Sequence, residues 1–197
     1  MSKGEQTREM ILERSAEVFN RKGYFGASMA DIMEATGLEK GGIYNYFQGK
    51  DDLALQAFDY SVDLVRQEFA AAIKGKFHAV QRLDAVFEVF RGLSEGRPLK
   101  GGCPILNTAI EADDNHPALR ERASQAMQEF HDFVSRIIQR GAERGEILAG
   151  TDPEQTASFF YATLEGAVML TRLSGNPAYI DRAINHLKHY LASTLRA

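Results

Sequence analysis

The sequence contains no tryptophan, one cysteine and five prolines in 197 residues. A single cysteine forbids an intrachain disulfide, which suits a reducing cytoplasm. A membrane span needs about 18 or more consecutive apolar residues, and no stretch approaches that. The opening segment, Met1 to Arg8, lacks the apolar run of a secretory signal. A cytoplasmic chain with no membrane partner is therefore expected. No Pro/Ser-rich linker, low-complexity segment or internal repeat divides it. Positive charge is also short, with a formal net charge of −4. The first 50 residues carry seven Lys/Arg and seven Asp/Glu, so the whole deficit lies beyond them. Any nucleic-acid surface must then come from where the charges face rather than from their total.

Catalytic signatures are missing as well. There is no Gly-x-Ser-x-Gly elbow, no His-Glu-x-x-His, and no Gly-x-Gly-x-x-Gly after a strand. Gly49-Lys50 is followed by Asp51, and Tyr44 stands where a phosphate loop needs its first glycine. The five histidines are scattered, and only His186 and His189 share a helical face. The expectation is a protein that is not an enzyme, with no metal and no cofactor.

What is present is helical periodicity in a chain that is 44% apolar, enough for a sizeable core. Residues 5–22 place Ile11, Leu12, Ser15, Ala16 and Phe19 on one stripe, while Glu5, Glu9, Glu13 and Glu17 form an acidic one. Lys50 to Lys74 reads as a long helix with Leu53, Ala57, Tyr60, Leu64 and Phe69 inside, ended by Gly75. It has no flexible linker before it, so it can act as a rigid connector. Residues 77–95 give the next helix, followed by the breaker cluster Gly96 to Gly102. Proline is favoured at the first helical position. Cys103 before Pro104 thus starts a short helix to Ala112. Asp113 to His116 before Pro117 starts one to Arg144, and Asp152 before Pro153 one to Ser174. The helix 153–174 is apolar on more than one side and must be covered twice. Asn176-Pro177 starts the last, to Leu195. The fold class is all-α, with about nine helices.

The segment that organises the rest is Gly37 to Leu53. Ser28 and Asp31 are spaced as a capping box, which predicts a helix from Ser28 to Ala35, stopped by Thr36-Gly37. A second short helix follows from Glu39 to Tyr46. Two short helices around a glycine-containing turn are the pattern of a helix-turn-helix. Leu38, Ile43 and Phe47 should face inward against Ile32 and the first helix. Lys40, Gly41, Gly42, Tyr44, Asn45 and Tyr46 should face out. Two glycines in one helix cost about 1 kcal/mol each relative to alanine, which suits a surface approached closely by another molecule. An ordinary αα turn with exposed tyrosines is the alternative.

Gly37-Leu38-x-Lys40-Gly41-x-Ile43-Tyr44-x-Tyr46-Phe47-x-x-Lys50-x-x-Leu53, preceded by Gly23-Tyr24-x-x-Ala27-Ser28, resembles the signature of the TetR family of transcriptional repressors. The likeness is firm over about the first 55 residues. Tyr46 departs from a frequent histidine, and Gly49 from a frequent N-cap serine or asparagine. The resemblance implies a DNA-binding domain over 1–49 and a helical ligand-binding and dimerisation domain over 50–197. It implies a homodimer on a double-stranded palindromic operator, released by a small-molecule inducer.

Ser28, Lys40, Tyr46 and Lys50 are expected on phosphates, with Gly41 allowing close approach. Gly42, Tyr44 and Asn45 are expected at base edges. Phe69, Phe87, Phe90, Met127 and Phe130 lie on helices that enclose a ligand pocket in the family, and Cys103 starts another. In one TetR subgroup the corresponding cysteine senses electrophiles. A thiol at a helix N-terminus beside Lys100 fits that reading, and a buried space-filling cysteine is the alternative. A small helical enzyme or a carrier that does not bind DNA is the competing function. Salt-dependent binding to a palindrome separates it from a repressor.

Overall fold

The computed structural model describes residues 2–112 and 115–197. Asp113 and Asp114, expected among the caps before Pro117, lie outside the described residues. Among the described residues there are nine α-helices and no strand: α1 (Lys3–Lys22), α2 (Met29–Thr36), α3 (Lys40–Tyr44), α4 (Lys50–Ile73), α5 (Ala79–Ser94), α6 (Pro104–Ala112), α7 (Pro117–Glu143), α8 (Pro153–Ser174) and α9 (Ala178–Tyr190). No helix of these residues is long and apolar enough to cross a membrane.

The chain divides into two compact units, residues 1–65 with 99–124, and residues 66–98 with 125–197. The boundaries fall inside α4, between α5 and α6, and inside α7.

Caps fix the helix ends. Ser2 and Glu5 form a capping box at the start of α1, and Ser28 and Asp31 form another at α2. Gly37 leaves α2 in the left-handed conformation. The Asp152 carboxylate accepts from the N–H groups of Glu154 and Gln155 and starts α8. These side chains satisfy donors that a helix start leaves without partners.

Two elements differ from expectation. The third helix is only Lys40–Tyr44, because its last turn tightens: Tyr46 N–H bonds to Ile43 O at 3.0 Å. The last helix ends at Tyr190 and loosens into a π-helical turn, Leu191–Leu195. There the chain turns aside to make a bridge between Ile147 and Arg196, with Leu148 N–H on Leu195 O at 2.8 Å.

In the first unit, Ile11 and Leu12 of α1, Ile32 of α2, Ile43 of α3, Leu53 of α4 and Phe47 between α3 and α4 form one apolar core, with Leu38 packed against it. In the second unit α8 packs on α9 and α5. Leu83, Val86, Phe87, Phe160, Leu164, Val168, Ile180, Ile184 and Leu187 are buried there, and Phe87 meets Phe160 edge-on at 5.2 Å.

The start of α5 shows how the second unit is pinned. The Ala79 N–H donates to Glu146 Oε2 at 2.7 Å, and Val80 N–H donates to His78 Nδ1. Arg144 grips the same carboxylate through Nε and a terminal nitrogen, both at 2.9 Å. The close approach requires Gly141, where a Cβ would lie 2.6 Å from that of Ala79. The Arg144 guanidinium, and next the Ala79 N–H, hold the Glu146 carboxyl down at about 2.

A lowered carboxylate stabilises the fold above its ordinary range, and the gain is lost as pH falls toward the folded value. Glu146→Gln is therefore expected to lower stability by about 1–2 kcal/mol near neutral pH. The difference from the native chain should shrink between pH 4.5 and about 2. Denaturant melts across that range check it.

Candidate nucleic-acid interface

The surface begins with α3, a helix too short to be stable alone. Ile43 and Phe47 are 0% and 2% exposed and tie it to the core below. Lys40, Gly41, Tyr44 and Asn45 are exposed, and Gly42 is half-buried. The Lys40 ammonium lies over the Tyr44 ring at 5.4 Å, one helical turn away. A Cβ at Gly41 would meet nothing within 4 Å, and one at Gly42 only Leu38 at an ordinary 3.7 Å. Packing within the chain thus does not require glycine at either position.

Tyr46 differs from its expected outward position: it is half-buried and packed against the first core. The short turn after α3 rotates it inward. Ser28 accepts from the Asp31 N–H at 3.2 Å, and its hydroxyl donates to Asp31 Oδ2 at 2.7 Å. Its proton is therefore engaged in the capping box. The Lys22 ammonium is 2.5 Å from Asp31 Oδ1. That ammonium, followed by the Ser28 N–H and hydroxyl, holds the Asp31 carboxyl well below the usual range.

Lys50 is also engaged. Its ammonium donates to Tyr24 O at 2.6 Å and sits 4.4 Å from the centre of the Tyr24 ring. The Tyr24 phenol donates to Asp51. Burial, and then that carboxylate, push the phenol up to about 12, so it stays protonated. In the sequence Tyr24 stands out only as part of the Gly23-Tyr24-x-x-Ala27-Ser28 signature.

In the second unit, three of the aromatics expected at a ligand site come together. Phe69 lies 5.8 Å from Phe90 and 5.1 Å from Phe130, and Phe90 lies 5.5 Å from Phe130. Phe133 and Tyr161 join them at 6.2 Å from Phe69 and 5.1 Å from Phe130. Sequence reading missed both; Phe133 is three residues after Phe130, a helical spacing that places it near the same face. Met127 is half-buried on α7. Phe87 stands apart, against Phe160. Cys103 belongs to the first unit, where it is buried just before α6. No group of three or more metal-ligating side chains occurs among the described residues.

Comparison with known proteins agrees with this architecture. Residues 11–57 match the bacterial regulatory proteins of the tetR family, and residues 79–187 match the tetracyclin repressor-like C-terminal domain. A TetR transcriptional regulator from Chloroflexus aurantiacus J-10-FL is 45% identical, with a TM-score of 0.95, over 100% of this chain and 99% of that one. A TetR family regulator from Cytophaga hutchinsonii is 36% identical with a TM-score of 0.91, over 100% and 98%. The HTH-type transcriptional repressor DhaR of Mycobacterium sp. strain GP1 is 25% identical over 176 residues, 89% of this chain and 87% of that one. The chain belongs to the TetR family and is a transcriptional regulator.

Proposed function

We propose that this regulator is a ligand-responsive repressor that binds a palindromic operator as a homodimer in the cytoplasm. Residues 1–49 carry the DNA contacts, and 50–197 carry ligand binding and dimerisation. The observation that carries the reading is the pair Gly41 and Gly42, set on a helix buried beneath and open above. Two glycines weaken a helix by about 1 kcal/mol each against alanine, and no neighbour in the chain requires them. A DNA backbone or base edge approaching the main chain accounts for both.

On this reading Lys40 binds phosphate, while Gly42, Tyr44 and Asn45 face bases; Tyr46, turned toward the core, supports this surface from beneath. The Ser28 hydroxyl donates to a phosphate only by leaving Asp31, whereas the Lys50 ammonium has two further N–H donors while it bonds Tyr24 O. Dimerisation uses α8 and α9. Phe159, Met169, Leu170 and Leu173 of α8 are exposed, as is Tyr179 of α9. A Cβ at Gly166 would meet nothing within 4 Å, which leaves room for a partner helix. Repression, rather than activation, is the role named for the relative DhaR.

The inducer site is the aromatic cluster of Phe69, Phe90 and Phe130, which suits an apolar or aromatic small molecule. One helix, α4, carries both Leu53 of the DNA-binding core and Phe69 of this cluster. A ligand that favours one setting of α4 shifts DNA affinity by no more than its own difference in affinity between the two settings.

Cys103 is assigned to packing, because it is 3% exposed. A thiol alkylator should then release the native protein and Cys103→Ser from DNA equally; release confined to the native protein would make Cys103 an electrophile sensor. For the DNA surface, Lys40→Ala should weaken binding to all duplexes alike and reduce the salt slope by about one unit. Anisotropy titrations at several salt concentrations read this, and an unchanged slope removes Lys40 from the phosphate contacts.

A further inference from the structure

The chain between α1 and α2 must deliver Ser28, the N-cap of α2, in a fixed place. Its own bonds are few. Gly23 N–H closes α1 on Phe19 O at 2.8 Å, and Ala27 N–H reaches Gly23 O at 3.0 Å. The N–H groups of Tyr24 and Phe25 point elsewhere, and both donate to one carboxylate: Glu111 Oε2 at 2.7 Å and Oε1 at 2.8 Å. Successive backbone N–H groups form a seat for an anion, and hydrogen bonds to a charged acceptor are about twice as strong as neutral ones.

Gly23 shapes this seat. Its φ is +76°, and a Cβ there would lie 2.4 Å from Glu111 Oε2. Glu111 stands on α6, and α6 is itself fixed to the end of α1. The Asn107 amide donates to Asn20 O and Oδ1 and to Gly101 O. The Asn20 amide donates to Lys100 O and Gly102 O. The asparagine bonds end at residue 20, whereas the carboxylate bonds Tyr24 and Phe25 themselves. Tyr24 is held at its other end by Lys50 on its carbonyl and Asp51 on its phenol, with His116 edge-on at 4.6 Å.

We propose that Glu111 is a positioning residue for DNA binding: its carboxylate fixes the Tyr24–Phe25 backbone and so sets the placement of α2 and α3. This rests on the reading of Lys40–Tyr46 as the DNA surface. Glu111 makes no contact with DNA, so it acts on affinity without adding to the salt dependence.

The test uses the full-length protein and a duplex that the native protein selects from a random library. Glu111→Gln keeps the shape but only one acceptor, and should bind about threefold more weakly; Glu111→Ala should lose about tenfold. Both should keep the native salt slope. Amide hydrogen exchange should speed up at Tyr24 and Phe25 and stay native at Ile11 and Ile32. Binding within about twofold of native in both variants overturns the proposal. So does a loss of affinity with faster exchange throughout the core, which would make Glu111 a general stabiliser. If Glu111→Ala fails to fold, Glu111→Gln decides by the same readings. If the native protein selects no duplex, the DNA-binding reading has failed, and exchange at Tyr24 and Phe25 still decides whether Glu111 holds the link.

Discussion

A helix of five residues cannot stand in water, since nucleating a turn costs more than so few hydrogen bonds return. The α3 segment exists because Ile43 and Phe47 are sealed into a core built from α1, α2 and the first turns of α4. Everything proposed for the protein depends on that burial. It fixes which side of Lys40–Tyr44 faces outward, and it lets two glycines persist there. Those glycines would melt a helix that had only its own bonds to rely on.

The same core sets how the DNA-binding unit is assembled. Residues 99–124 return to pack with residues 1–65, so the unit is completed by chain that is distant in sequence. Asn20 and Asn107 interlock with the backbone of Lys100 to Gly102, and Glu111 seats the link to α2. Tyr24 gathers contacts through its N–H, carbonyl, ring and phenol. An aromatic residue satisfied at each polar atom is a rigid joint, because any displacement leaves a partner without its bond.

Local signals made most of the fold legible in the sequence. The spacing of Ser28 and Asp31, proline after Cys103 and Asp152, and glycine at 37 and 75 located helix ends to within a residue or two. The inward pair Ile43 and Phe47 stands at helical spacing, four residues apart. What stayed hidden is non-local. Glu111 and Tyr24 are 87 residues apart, and no spacing rule joins a carboxylate on one helix to the backbone of a distant turn. Lys50 read as a cation facing outward, because sequence does not reveal a carbonyl waiting at Tyr24. Tyr46 read as exposed because a full helix was expected, and a tightened last turn rotates it inward. Phe133 and Tyr161 carry no local signal of a site; only the fold brings their rings beside Phe69 and Phe130.

The central claim is that two copies of the chain offer the Lys40–Tyr46 surface to successive major grooves. Hydroxyl-radical footprinting of the native protein, on duplex DNA from upstream of its own coding sequence, tests it most directly. The account predicts two protected tracts, related as an inverted repeat. Their centres should lie about one helical turn or a small multiple of it apart, and protection should fade as salt is raised. A single tract, protection indifferent to salt, or no protection at any concentration where the protein is dimeric would contradict it.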